Sequence, residues 1–214
     1  MNQKRNQMTQ VEYFFDCSSP WTFLSYTRIE AICDKFDAEL VWKPILVGGV
    51  FNSVNESVYE QRANPVPVKA RYYQKDLQDW ARLQNIVIGT PPVFPVNSVK
   101  AMRGCFVAQE QGLISEYIGH VFQAYWTELK DISSEEVLDE ILAKTGLDNE
   151  SFYHKIKSQP YKDKLRTNTD ELINRGGFGS PTMFLNQSDM YFGNDRLCLL
   201  EAKLKTLITL GTSD

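Results

Sequence analysis

Three short segments of this 214-residue chain place hydroxyl, amide or carboxylate groups at turns between elements, two of them where a helix begins. Backbone N–H groups and partial positive charge face a ligand at such a point, which suits an anion. The first is Asp16-Cys17-Ser18-Ser19-Pro20-Trp21-Thr22, at the end of an aromatic run. Alone it reads as ordinary capping, with hydroxyls followed by a proline in the first turn. The second is Gly179-Ser180-Pro181-Thr182, between a helix and a strand. A cis proline at that edge would leave the Ser180 backbone free to pair with an extended peptide. The third, Gly193-Asn194-Asp195-Arg196, sets an amide and a carboxylate at a further helix start, again a capping arrangement when read alone.

Other chemistries are poorly supplied. Cys17, Cys33, Cys105 and Cys198 lie far apart, with neither a CxxC pair nor metal-ligand spacing, so neither a zinc site nor a CxxC redox couple is expected. His120 and His154 sit in no hydrolase pattern and read as ordinary surface or core residues. A net charge of −4, without a long like-charge run, offers no broad basic face for nucleic acid or anionic lipid. No apolar stretch is long enough to span a bilayer, and Met1 to Gln10 is polar rather than a secretory signal. The expectation is a soluble, cytoplasmic protein with a packed core, its hydrophobic content being 43%.

The elements that position these segments follow from periodicity. Val11 to Cys17 reads as a buried strand, and Tyr26, Ile29, Cys33 and Phe36 follow at helical spacing. Glu39 to Ile45 reads as a second strand, which makes a βαβ unit with a parallel pair. The strand signal then disappears for about a hundred residues. Val66, Ala70, Tyr73, Leu77 and Trp80 mark one apolar helix face, and Ile114, Ile118, Val121, Phe122, Tyr125 and Leu129 another; both are expected in the core. Ser133-Ser-Glu-Glu136 has capping-box spacing, with Gly146 as the stop. A helix from Tyr161 to about Arg175, a hairpin of Thr182–Leu185 with Met190–Phe192, and a last helix capped by Asn194-Asp195 complete the chain. The fold class is therefore α/β, a thioredoxin-like domain (11–50 and 161–214) with a large all-helical insertion (51–160).

The chain resembles the 2-hydroxychromene-2-carboxylate isomerases of the DsbA-like thioredoxin superfamily, which also contains the kappa-class glutathione transferases. The residues that carry the likeness are Phe15 to Trp21, Lys43 to Leu46 with Gly48-Gly49, Pro67 to Tyr72 with Asp76-Leu77, and Pro91 to Asn97. Ala124-Tyr-Trp126 with Asp131-Ile132, and Phe178 to Thr182 with Phe192 to Arg196, complete it. The resemblance implies a glutathione enzyme whose catalytic Ser19 stands where oxidising relatives keep their first redox cysteine. Thr22 takes the second cysteine position, so no disulfide forms there. It further implies that Lys69 pairs with a glutathione carboxylate, that Ser180 beside Pro181 pairs with the cysteinyl portion, and that Asn194 and Asp195 hold the γ-glutamyl end. Asn55 is the first choice for a further peptide contact, with Asn64 competing. A homodimer is implied as well, and Trp80, Phe94, Tyr125 and Trp126 are possible aromatic walls for the second substrate.

The chemistry so implied is thiolate addition to a conjugated carbon, ring opening, rotation and elimination. Its electrostatic demand can be sized. Lowering an alkyl thiol pKa of ~8.5 by two units takes ~2.7 kcal/mol of preferential anion stabilisation. One hydroxyl hydrogen bond of ~1.5–3 kcal/mol plus ~0.3–1 kcal/mol from a helix N-terminus suffices. Two alternatives stand beside this reading: a kappa-like transferase or peroxidase using the same site, and a non-catalytic peptide-binding module of thioredoxin fold.

Overall fold

Residues 8–211 are described by the computed structural model of the chain. The aromatic run forms the central strand β1 (Gln10–Phe15), whose side chains alternate between two buried faces. Tyr13 and Phe15 stack on one face with their ring centres 5.3 Å apart, and both meet Trp42 edge-on. Phe14 points the other way, into a smaller cluster with Ile45, Val50, Leu172 and Phe184.

Helix α1 (Pro20–Lys35) links β1 to β2 (Glu39–Pro44), and the two strands pair in parallel, as the βαβ reading requires. The hairpin of β3 (Thr182–Leu185) and β4 (Asp189–Phe192) adds antiparallel on the other side, giving the order β2-β1-β3-β4. Between β2 and β3 every described element is helical. These are α2 (Val47–Val54), α3 (Ser57–Ala63), α4 (Pro67–Leu83), α5 (Val99–Glu110), α6 (Ile114–Phe122), a π-helical turn (Gln123–Thr127), α7 (Glu135–Thr145), α8 (Asn149–Lys157) and α9 (Gln159–Asn174). A 3-10 turn (Asn194–Arg196) leads into α10 (Leu197–Gly211).

Several local expectations are corrected. Helix α4 lies against the core rather than within it: Val66 and Tyr73 are half exposed, Leu77 and Trp80 are partly buried against the core and Ala81 is its buried residue, with α1 met through Trp21 to Tyr73 and Thr27 to Gln84. Leu129 is also exposed, standing beyond the π-helical turn at a positive φ of 59°. The box at Ser133 does not form. The N-cap of α7 is Ser134, and the Ser133 hydroxyl instead donates to Asp131 at 2.7 Å. Gly146 does end that helix in the left-handed conformation. Helices α2 and α3 occupy a stretch whose Asn, Ser and Pro content hides them from periodicity.

Candidate functional site

The end of β1 turns sharply into α1 because a buried carboxylate gathers the loop. Asp16 accepts the Ser18 N–H at 2.9 Å through Oδ1, and through Oδ2 the Val47 N–H at 2.8 Å and the Ser98 hydroxyl at 3.2 Å. Burial pushes its carboxyl above the ordinary value, against the pull of these donors. Pro20 follows at the first helical position, and Ser19 becomes the N-cap, its Oγ accepting the Thr22 N–H at 3.3 Å. Tyr13 then anchors the first turn from below, its hydroxyl 2.6 Å from Ser25 Oγ and donating to the Thr22 carbonyl at 3.2 Å.

Across this turn lies the loop before β3, where the Ser180-Pro181 peptide is cis. Ser180 Oγ accepts the Asp16 N–H at 2.9 Å and shares a hydrogen bond of 2.7 Å with Thr22 Oγ1. The Ser19 hydroxyl donates to the Ser180 carbonyl at 3.1 Å. Sequence reasoning expected the Ser180 backbone to be free. Its N–H has no partner among the described residues, but its carbonyl is held by Ser19, since a hydroxyl hydrogen at that cap finds its acceptor there.

The other expected residues are distributed around this centre. Asn55, at the end of α2, donates from Nδ2 to the Phe178 carbonyl at 3.1 Å, two residues from Ser180; Asn64 is exposed at the end of α3. Lys69 lies in the first turn of α4, exposed and without a carboxylate partner among the described residues. It is one turn before Tyr73, whose hydroxyl accepts the Trp21 Nε1–H at 2.5 Å, so this face of α4 leans toward the α1 N-terminus.

Asn194 is almost fully buried. Its Oδ1 accepts from Gln84 at 3.4 Å and its Nδ2 has no partner. Asp195 is half exposed and paired with Arg196 at 2.5 Å. Neither side chain caps a backbone N–H, contrary to expectation; Gly193 occupies the cap of the 3-10 turn with a φ of 105°. A cleft of about 390 Å³ opens beside Asp195, lined also by Arg28, Trp80, Gln84 and Cys198, and Ser19 does not line it.

Of the four aromatic candidates, Trp126 and Tyr125 are buried. Trp126 donates to the Cys17 carbonyl at 2.9 Å and Tyr125 to the Val93 carbonyl at 2.9 Å. Phe94 is half exposed and packs on Trp126 with ring centres 6.2 Å apart; Trp80 belongs to the Asp195 cleft. Cys17 is fully buried, and burial together with Asp16 raises its thiol well above the ordinary range, which suits packing rather than attack. Sequence reasoning passed over Asp16 and the Thr22–Ser180 hydroxyl pair. A carboxylate closing an aromatic strand was the available signal for the first; the second joins residues 158 positions apart. No cluster of three or more His, Cys, Asp or Glu that could hold a metal occurs among the described residues.

The chain has relatives among known proteins. The profile of the DSBA-like thioredoxin domain matches residues 10–205. A 2-hydroxychromene-2-carboxylate isomerase of Pseudomonas putida is 30% identical, over 92% of this chain and 95% of its own. A glutathione S-transferase kappa 1 of Rattus norvegicus is 26% identical, over 89% of this chain and 88% of its own. Among solved structures, a 2-hydroxychromene-2-carboxylate isomerase superposes with a TM-score of 0.81 at 27% identity, covering 95% of this chain and 98% of that one.

Proposed function

Because the chain belongs to the DSBA-like thioredoxin family, together with the 2-hydroxychromene-2-carboxylate isomerases, we propose that it is a glutathione-dependent isomerase of 2-hydroxychromene-2-carboxylate-type aromatic catabolites. The observation that carries this reading is the Ser19 hydroxyl at the α1 N-cap, 3.1 Å from the carbonyl that precedes cis Pro181, with a threonine rather than a cysteine at position 22. A thiol-disulfide reaction has no cysteine pair here, whereas a thiol brought in by a ligand meets a donor and a helix N-terminus.

The polar atoms left over fit a tripeptide with charged ends. The Ser180 N–H is unpartnered, the buried Asn194 Nδ2 is orphaned, and Lys69 is an exposed cation without a partner among the described residues. When bound, glutathione supplies a thiol that adds reversibly to a conjugated carbon and so makes a double bond rotatable. The protein's part is to ionise and orient. Ser19 has one proton to donate, so serving a sulfur anion means releasing the Ser180 carbonyl, which then becomes an acceptor for a peptide N–H. Ser180 would hold the cysteinyl portion through both backbone groups, with Pro181 shaping the edge. Lys69 would pair with a terminal carboxylate, and Asn194 with Asp195 would hold the γ-glutamyl end. Asn55 would steady the loop from Phe178.

The test is conversion of 2-hydroxychromene-2-carboxylate with and without glutathione, in wild type and Ser19→Ala. Turnover that requires glutathione and collapses in the variant is expected; turnover indifferent to glutathione, or none, defeats the reading. Conjugation of glutathione to an electrophilic aromatic halide in place of isomerisation would move the chain to the transferase reading that its kappa relatives suggest. Absence of calorimetric glutathione binding would leave only a peptide-binding module.

A further inference from the structure

We propose that Arg62 is the specificity-determining residue that grips the carboxylate of the aromatic substrate, with Phe94 as the wall for its ring. The proposal rests on the isomerase reading for its substrate class, and on the following geometry for the residue. Arg62, in the last turn of α3, places its guanidinium carbon 5.4 Å from the Phe51 ring centre and 5.3 Å from that of Phe94. Two rings hold the cation in place but offer no hydrogen-bond acceptor along its edge. No carboxylate lies within ion-pair distance of it among the described residues, unlike Arg82, Arg175 and Arg196. The fork of N–H donors is thus preorganised and unspent, the arrangement that suits a planar oxyanion.

A chain of contact links Arg62 to the segment that carries Ser19. Cys17 accepts from Trp126, and Trp126 packs on Phe94, against which Arg62 lies. Trp21 donates to Tyr73. Burial raises the phenols of Tyr73 and Tyr125, and the Arg62 charge offsets part of this in each. Phe94 and Trp126 thus connect Arg62 to the segment that carries Ser19, with a half-exposed aromatic ring beside the cation. A flat conjugated acid lying on Phe94 would direct its carboxylate to Arg62 while its ring faces the Ser19 side.

Calorimetry with 2-naphthoate and its neutral counterpart 2-naphthamide tests the grip directly. Wild type should prefer the acid by about 10- to 100-fold. Arg62→Ala should abolish the preference, Arg62→Lys should keep part of it, and Phe94→Ala should weaken both ligands alike. Equal binding of the acid by wild type and Arg62→Ala, or no preference in wild type, overturns the proposal; matched thermal unfolding of Arg62→Lys guards against misfolding. In the turnover assay Arg62→Ala should raise KM for the carboxylate substrate and leave glutathione affinity unchanged. Glutathione-dependent turnover with an unmoved KM sinks Arg62 alone. An Arg62-dependent acid preference in a protein without turnover sinks the isomerase reading alone.

Discussion

The Ser19 proton is the smallest unit on which the proposed chemistry turns. Ser19→Ala should raise the pKa of the bound glutathione thiol by about 1–2 units while leaving peptide affinity nearly intact, because one charge-assisted donor is lost and the other contacts remain. Thiolate ultraviolet absorbance against pH measures it, and an unmoved titration would assign ionisation to another group. Burial separates the two residues proposed for the γ-glutamyl end. Asn194→Ala should cost glutathione about 1–3 kcal/mol of affinity, since a buried amide is involved, whereas Asp195→Ala, half exposed and screened, should cost under about 1 kcal/mol. Calorimetry on both variants should give that order; the reverse order would place the peptide elsewhere. Asp16 acts on the fold instead. Removing it in Asp16→Ala leaves the Ser18 and Val47 N–H groups unpaired, at about 1–3 kcal/mol each if buried. Its pKa is raised on folding, so its contribution is fullest below the ordinary value of 3.8 and declines as pH rises toward the raised one. The stability gap between wild type and Asp16→Ala in urea should therefore narrow as pH rises through that window.

Elements show where packing rather than chemistry sets the limits. Helix α5 approaches α6 and α8 so closely at Gly104 that an added Cβ would lie 2.3 Å from the Tyr117 hydroxyl and 2.6 Å from the Phe152 ring. Both aromatic residues are fully buried, so neither can move aside cheaply. Gly104→Ala should destabilise by about 1–3 kcal/mol in chemical denaturation; an unchanged midpoint would mean that α8 can swing outward. Neither this helix nor Gly104 stands out in the sequence, and a glycine within an apolar run does not say what approaches it. Helix α4 shows the opposite case. Its periodic apolar face was legible, yet half of that face remains at the surface, because periodicity reports a preference and not the presence of a partner. Leu77 and Trp80 find the core, and Tyr73 finds Trp21 in the first turn of α1, beside the candidate site.

At the scale of the molecule, charge networks tie the segments between the strands to one another and to the sheet. Burial raises the Glu110 carboxyl, but the Tyr161 hydroxyl, Lys164 and Lys155 outweigh it and hold the group down to about 2. A depressed pKa contributes stability that is present above the ordinary carboxylate value and is lost as pH falls toward 2. Glu110→Gln should therefore lower the neutral plateau, by under about 1 kcal/mol because the group is partly exposed and screened, and converge with wild type as pH falls toward 2, so that the acid limb of the stability profile in urea flattens. On the inner side, Glu12 sits beneath the sheet between Arg175 at 2.6 Å and Lys43 at 3.7 Å, joining β1, β2 and the end of α9. We carry the homodimer as a proposal, for which sedimentation should give twice the chain mass.

The strand–helix–strand opening, the terminal hairpin and the cap at Ser19 were legible in the sequence, because each depends on neighbours a few residues away: an aromatic run, a hydroxyl before a proline, a short turn. Helices α2 and α3 were hidden because they are short and lie in a stretch broken by Gly, Asn, Ser and Pro, and the end of α2 is tied to a distant segment through Asn55 and the Phe178 carbonyl. The spending of the Ser19 proton on the Ser180 carbonyl, the orphaned Asn194 amide and the placing of Arg62 between two rings were decided only by tertiary structure. Each joins groups far apart along the chain, and only their closeness in space determines which donors are satisfied and which are left for a ligand.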